Sequence, residues 1–261
     1  MILGFISIAI LFLIYSRYQD PVLITPDALD SIQRIAYAFY IVLVACLGAI
    51  TYGLYIFHRD KVENREKDLF TIIALTTWNS KSRKIFVVTF VCYGVFFSLV
   101  SGTLVYQPEV NFAIHYGAEI PSGFVAPCCD GPGYMPKIIV YITEHVGLQI
   151  IPINLVLQVI VSYLVGLNTA IAVSAFAISK KGRGASTIGA ATGLFIACPT
   201  CAGTFLSIFI GTASGIALTI ALTQLQTLFI AIAIPILLIT PFVMAKKLRN
   251  DDGSCKIDPT M

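Results

Sequence analysis

The sequence predicts an all-α protein, a polytopic bundle of about six transmembrane helices with both termini cytoplasmic. Three observations carry that expectation. Apolar residues make up 57% of the 261 positions, and the mean hydropathy is +0.86. Charged residues make up 12%, about half the usual share of a soluble domain. The apolar residues also gather in runs of the length needed to cross a hydrocarbon core of about 30 Å, roughly 17–25 helical residues. No soluble domain of ordinary size is left over. Residues 1–249 are expected to form one bundle in the cell membrane, followed by a polar tail over 250–261.

The runs are Ile2–Tyr15, Ile35–Phe57, Ile85–Tyr106, Leu148–Ile178, Thr187–Ile210 and Ile216–Met244. The first is short and matches a signal-peptide core in length. No basic residue precedes it and no small-x-small cleavage site follows it, so an uncleaved first helix is expected.

Orientation follows from lysine and arginine, which favour the cytoplasmic side. The loop 58–84, the link after the fourth run and the tail together hold 14 of the 17 basic residues. With six spans these segments share one side. Only Arg17, Arg34 and Lys137 fall on the other.

The cytoplasmic loop 58–84 alternates charges, as in Arg65-Glu66-Lys67-Asp68. It reads as a solvated, partly helical connector, with Trp78 anchored at the interface. The outer loop 107–147 is dense in proline and glycine, which rules out a long helix and predicts a shaped loop. Within it, Met135–His145 is expected to form a short interfacial helix. Gly211–Gly215 forms a tight outer link.

In the fourth run Asn154, Gln158 and Ser162 recur every four residues and share one helix face, with Asn168 further on. Such a stripe points into the bundle. It reads first as interhelical hydrogen bonding, each contact contributing about 0.6 kcal/mol. A polar lining for a path is the alternative.

The chemistry-bearing element is Cys198-Pro199-Thr200-Cys201, inside a run without charged residues. Ala185, Gly189, Gly193, Ala197 and Cys201 recur every four positions, a small-residue face that lets another helix approach closely. Three residues turn a helix by about 300°, so Cys198 lies only about 60° from Cys201 and both thiols address one site. Pro199 donates no backbone hydrogen bond and predicts a helix break. A half-helix starting there would put Cys198 at its N-terminus, where the dipole favours a thiolate. Apolar burial acts the other way, and the sequence leaves the outcome open.

A second pair, Cys128-Cys129, lies in the outer loop with His115, Glu119, Asp130, Glu144 and His145. His115 and Glu119 are four apart and are expected to share a helix face. Adjacent cysteines close a mutual disulfide only with strain, so exchange with other thiols or metal capture suits them better. Thiolate with imidazole fits Cu(I) or Zn, and a thiol-rich set favours copper. The plain alternative is that His145 hydrogen-bonds at the interface and the cysteines pack in a proline-rich turn. Cys46 and Cys92 are expected to be buried as small apolar residues, and Cys255 to be incidental.

On these residues rest several resemblances. The Cys198–Cys201 motif is similar to the dithiol of glutaredoxins, although their soluble fold is absent. A cysteine-proline element in a membrane helix resembles the thiol-reductant and cytochrome c biogenesis transmembrane proteins, whose motif differs and whose cysteines lie in two spans. Cys198–Gly203 followed by Phe205–Gly211 also looks like the cysteine-bearing helix of small mercury- and copper-handling membrane proteins. Each covers about 20 residues at most. As a whole the chain resembles archaeal-type polytopic membrane proteins. The resemblances imply handling of soft metal or of thiol electrons, with a thioredoxin-like protein or a metallochaperone as partner.

The competing expectation is a non-catalytic accessory or assembly subunit of a larger membrane complex, bound to other membrane subunits. No intramembrane cluster of acids, histidines or arginines is present, as proton-coupled transporters usually carry. Nothing resembles a nucleotide site, no nucleic-acid partner is expected, and no catalytic residue set is read.

Overall fold

The computed structural model describes residues 2–19, 29–64, 68–127, 133–179 and 234–246. In chain order the elements are α1 (Ile2–Ser16), α2 (Leu29–Asn64), α3 (Leu69–Trp78), α4 (Ser80–Val100), β1 (Leu104–Tyr106), α5 (Phe112–Tyr116), β2 (Ser122–Ala126), β3 (Lys137–Tyr141), β4 (Val146–Ile150), α6 (Pro152–Ser179) and α7 (Ile234–Lys246). Among the described residues three helices are long and apolar enough to cross a membrane: α2 over Asp30–Asn64, α4 over Ser80–Leu99 and α6 over Pro152–Ser174. They mark the chain as a membrane protein. At 1.5 Å per residue α2 is about 54 Å long, well beyond a hydrocarbon core of about 30 Å. Its exposed aliphatic residues, such as Ile41 and Val44, would be untenable on a water-facing helix in such density. At 15 residues, α1 reaches only about 22 Å.

The fold is mostly helical but not all-α, and the sheet is the main correction. β1 to β4 form one antiparallel sheet in the order β1-β4-β3-β2. Met135–His145, expected as a short helix, instead supplies β3 and the turn into β4. The physical reason is composition. Lys137-Ile138-Ile139-Val140-Tyr141 is a β-branched and aromatic run that suits a pleated surface, and Pro136 before it disfavours a helical residue at Met135. The sheet also shortens two expected spans. The run ending at Tyr106 leaves the helix at Val100, where Ser101-Gly102-Thr103 turns into β1. The run starting at Leu148 gives its first residues to β4, and α6 begins at Pro152. At that position the missing N–H would have no helical partner.

The charged connector also differs from expectation. α2 continues through His58 to Asn64, with Arg59 donating to Glu63 at 2.7 Å one turn on. The stretch Leu69–Trp78 is apolar rather than solvated. In α3 the residues Thr71, Ile72, Ile73 and Ala74 are buried, because the stretch from Leu69 to Trp78 contains no charge.

The chain divides into two compact units, Met1–Ile56 with Gly94–Ile160, and Phe57–Tyr93 with Val161–Met261. In the first, one face of the sheet closes on α1 and α2. Val125 is paired with Ile138, and Ile138 with Ile150, so all three share that face. They pack with Ile8, Tyr15, Phe39, Tyr40 and Leu43. Phe39 packs edge-to-face with Phe12 and Tyr15 at centroid distances of 5.6 and 5.0 Å. The other face carries α5. Phe112 lies over Gly147, where a Cβ would meet its ring at 3.3 Å, and contacts Tyr141 at 5.3 Å. In the second unit Ile72 and Ile73 of α3, Leu167 and Ile171 of α6 and Ala245 of α7 form the core.

Candidate functional site

Cys128 and Cys129 lie outside the described residues, but the chain on either side of them does not. Tyr15, at the end of α1, donates its hydroxyl to the Pro127 carbonyl at 2.6 Å. The single hydroxyl proton of Tyr40 on α2 is shared between the carbonyls of Pro136 at 2.6 Å and Ile150 at 2.9 Å. Ile153, in the first turn of α6, donates its N–H to the Gly133 carbonyl at 3.1 Å. Gly133 has φ +86°, which favours glycine, and it sits against Ile153 and Phe12. The backbone at Pro127, Gly133 and Pro136 is therefore held by α1, α6 and α2. A tyrosine hydroxyl is well suited to this task. Its ring packs in the core while its hydroxyl proton meets backbone carbonyls.

Of the expected secondary ligands, Glu144 and His145 make hydrogen bonds around the β3–β4 turn. Asn111 caps α5, its Oδ1 accepting from the N–H groups of Ala113 and Ile114. Its Nδ2 donates to Glu144 Oε2 at 2.8 Å. The N–H of Phe112 meets the Glu144 carbonyl at 2.8 Å, and that of Gln107 meets the His145 carbonyl at 2.9 Å. His145 Nδ1 stands 3.0 Å from the Val110 carbonyl. A carbonyl only accepts, so Nδ1 carries the proton and Nε2 is the remaining nitrogen. Glu144 and His145 thus fasten the β3–β4 turn to α5.

His115 and Glu119 do not share a helix face, which corrects the sequence expectation. α5 ends at Tyr116, and Gly117 at φ +63° turns the chain away before Glu119 is reached. His115 is exposed and meets the Tyr116 ring at 4.7 Å. Among the described residues no group of three or more His, Cys, Asp or Glu side chains is placed to hold a metal ion.

Cys198, Cys201, Pro199 and the small residues Gly189, Gly193 and Ala197 lie outside the described residues, as does the Gly211–Gly215 link. Of the isolated cysteines, Cys46 packs beside the first core. Cys92 is exposed on α4 rather than buried; α4 offers most of its surface outward, with Val88, Val91 and Val95 exposed as well.

The polar stripe of α6 works as packing glue. Asn154 Nδ2 donates to the Ser101 carbonyl at 3.4 Å. Gln158 Nε2 donates to the Gly94 carbonyl at 2.9 Å and to Ser98 Oγ at 2.7 Å. Ser162 is buried, and its hydroxyl has no hydrogen-bond partner among the described residues. The anchoring tyrosines were not singled out in the sequence. Their only signal is position, since Tyr15 closes the first apolar run and Tyr40 lies near the start of the second.

Comparison with models of protein families, with curated proteins and with solved structures finds no match to this chain.

Proposed function

We propose that this chain is a multi-pass protein of the cell membrane, with about six spans and cytoplasmic termini, that handles soft metal of the copper type or thiol electrons. Cys128 and Cys129 form the outer station. Cys198 and Cys201 form a station within the membrane. In the metal reading each pair offers a two-coordinate thiolate site for Cu(I). In the redox reading each pair cycles between dithiol and disulfide by exchange, with a thioredoxin-like protein as electron partner.

One observation supports the reading most: the backbone flanking residues 128–132 is tied to α1, α2 and α6 through Tyr15, Tyr40 and Ile153. A dithiol that must meet a partner, or hold an ion, gains from fixed flanks because less conformational freedom is lost on binding. The accessory-subunit reading is favoured by a different observation. Asn154 and Gln158 spend their hydrogen bonds between helices rather than lining a path.

The two separate on the full-length protein purified with Cys128→Ser/Cys129→Ser or Cys198→Ser/Cys201→Ser. Bound Cu(I) and reversible disulfide content are measured against the unaltered chain. Loss of metal or of a reversible disulfide with either pair supports thiol chemistry. Unchanged metal and no reversible disulfide in any form sinks it, and co-purification at fixed stoichiometry with other subunits then favours the accessory role.

A further inference from the structure

Four cations that the dithiol reading leaves unused lie in the second unit: Lys81, Arg83 and Lys84 at the start of α4, and Lys246 at the end of α7. All four are exposed. The direction of the first three is set by the residue among them. Ser82 is buried, and its Oγ stands 2.9 Å from Ser174 Oγ on α6. Ser174 gives its own proton to the Ala170 carbonyl at 2.8 Å, so Ser82 donates. One turn on, Phe86 packs against α6 at Gly166. Each residue turns the helix by about 100°, which puts Lys84 nearly opposite Ser82, with Lys81 and Arg83 on the two flanks. The outward face that begins at Lys84 continues through Val87, Val88 and Val91, all exposed. On a helix that crosses a membrane, such a face meets lipid. Lys246 follows Ala245, which shares the second core with Phe86.

We propose that Lys81, Arg83, Lys84 and Lys246 form a binding site for the headgroup of an anionic phospholipid. The lipid belongs to the leaflet at this end of α4, the cytoplasmic one in the orientation proposed above. Two features point to it. The first is length. α4 carries no charged residue from Ile85 to Val100, which is 16 residues or about 24 Å, against a hydrocarbon core of about 30 Å. The shortfall draws the basic residues beside that stretch to headgroup level, where their stems lie along acyl chains and their charges reach phosphates. The second is charge order. The first turn of α4 holds no acid and holds cations instead, opposite to the preference of a helix N-terminus. Lys81 and Lys84, three residues apart, also repel each other. An anionic headgroup relieves both. Arg83 offers its forked guanidinium to phosphate oxygens, and the lysines act as point charges. The acyl chains then lie along Val88 and Val91, so one molecule meets both the cationic and the apolar parts of this face. A soluble phosphate would satisfy only the first. Phosphatidylcholine carries its own cation, which competes with those of the protein, so a net negative headgroup is preferred.

The single native tryptophan is Trp78, so a reporter can be moved onto this face. Full-length Trp78→Phe/Val91→Trp protein carries it about 10 Å along α4 from Lys84, level with the acyl chains. The protein is reconstituted in vesicles of phosphatidylglycerol and phosphatidylcholine, with mid-chain bromine on one or the other. Quenching across the mixtures gives their relative occupancy beside the reporter. Phosphatidylglycerol should be favoured by about fivefold. In the same background Arg83→Gln/Lys84→Gln should bring the ratio below about twofold. Quenching by brominated phosphatidylcholine should stay strong there, which shows the face still in lipid. Lys246→Gln should lose part of the preference, and Lys81→Arg/Lys84→Arg should keep it. Arg17→Gln/Arg34→Gln removes the same charge elsewhere and should change nothing. A ratio near one before any cation is removed overturns the site, as does quenching by neither lipid, which would mean that protein covers the face. An undiminished preference in Arg83→Gln/Lys84→Gln overturns it too. So does an equal loss in Arg17→Gln/Arg34→Gln, because the effect would then be one of net charge.

Discussion

Asn168 on α6 donates from Nδ2 to the main-chain carbonyl of Leu237 on α7 at 3.0 Å. The carbonyl needs this partner because the residue four positions on is Pro241, which has no N–H to close the helical bond. Asn168 is 3% exposed and Leu237 is fully buried, so water is not an alternative. A second bond from Nδ2 to the Leu164 carbonyl at 2.8 Å fixes the amide. The polar residue in α6 and the proline in α7 are thus two halves of one arrangement.

Asn168→Leu should therefore destabilise the protein by about 1–2 kcal/mol, toward the upper end for intramembrane hydrogen bonds. Pro241→Ala restores the missing donor, so the same asparagine substitution should cost much less in that background. Thermal unfolding of both single variants and the double variant in detergent measures the coupling. Additive effects would show that the bond to Leu237 contributes nothing.

At Gly166, α6 comes close to α4 in the second unit. A Cβ there would stand 3.1 Å from both the Phe86 carbonyl oxygen and its ring. The ring can turn aside, but the backbone cannot. Gly166→Ala is expected to cost about 1–3 kcal/mol through overpacking, and Gly166→Val more. Phe86→Leu should recover only part of the loss, as read by unfolding midpoints.

Tyr15→Phe removes the hydroxyl that meets the Pro127 carbonyl, and Tyr40→Phe the one that meets the Pro136 and Ile150 carbonyls. Each should lower stability by about 1 kcal/mol. The sharper readout is chemical. In a chain keeping only Cys128 and Cys129, maleimide labelling should accelerate in both variants. Unaltered rates would mean that these bonds hold the sheet but not the dithiol.

Gln158→Leu separates glue from path. It removes the bonds to Gly94 and Ser98, so a drop of about 1.2 kcal/mol is expected, about 0.6 for each contact, with metal content and thiol redox behaviour unchanged. Loss of either activity in a folded variant would instead mark α6 as the lining of a route.

Much of the helical frame was legible because long apolar runs admit few alternatives. α2, α4 and α6 fall where hydropathy puts them. The sheet was not legible, because Ile138, Ile139 and Val140 are as apolar as any helix segment and short runs do not declare their period. α3 was hidden by its neighbours: charges around Arg65 and Lys81 make the whole connector look solvated, although Leu69–Trp78 has none. At the dithiol loop the cysteines stand out by type, whereas Tyr15 and Tyr40 acquire meaning only once folding brings Pro127, Pro136 and Ile150 to them. His115 and Glu119 show the opposite error, since a spacing of four means one helix face only if no Gly117 intervenes.

The close approach at Gly166 also bears on what can move through this molecule. With the Phe86 backbone already within contact distance of the place a single methyl group would fill, the seam between α4 and α6 at that level has no width for an ion, a water file or a lipid tail. Any cargo travelling along α6 has to use a different side of the helix, and substitutions that widen this seam should open a leak rather than speed a native route.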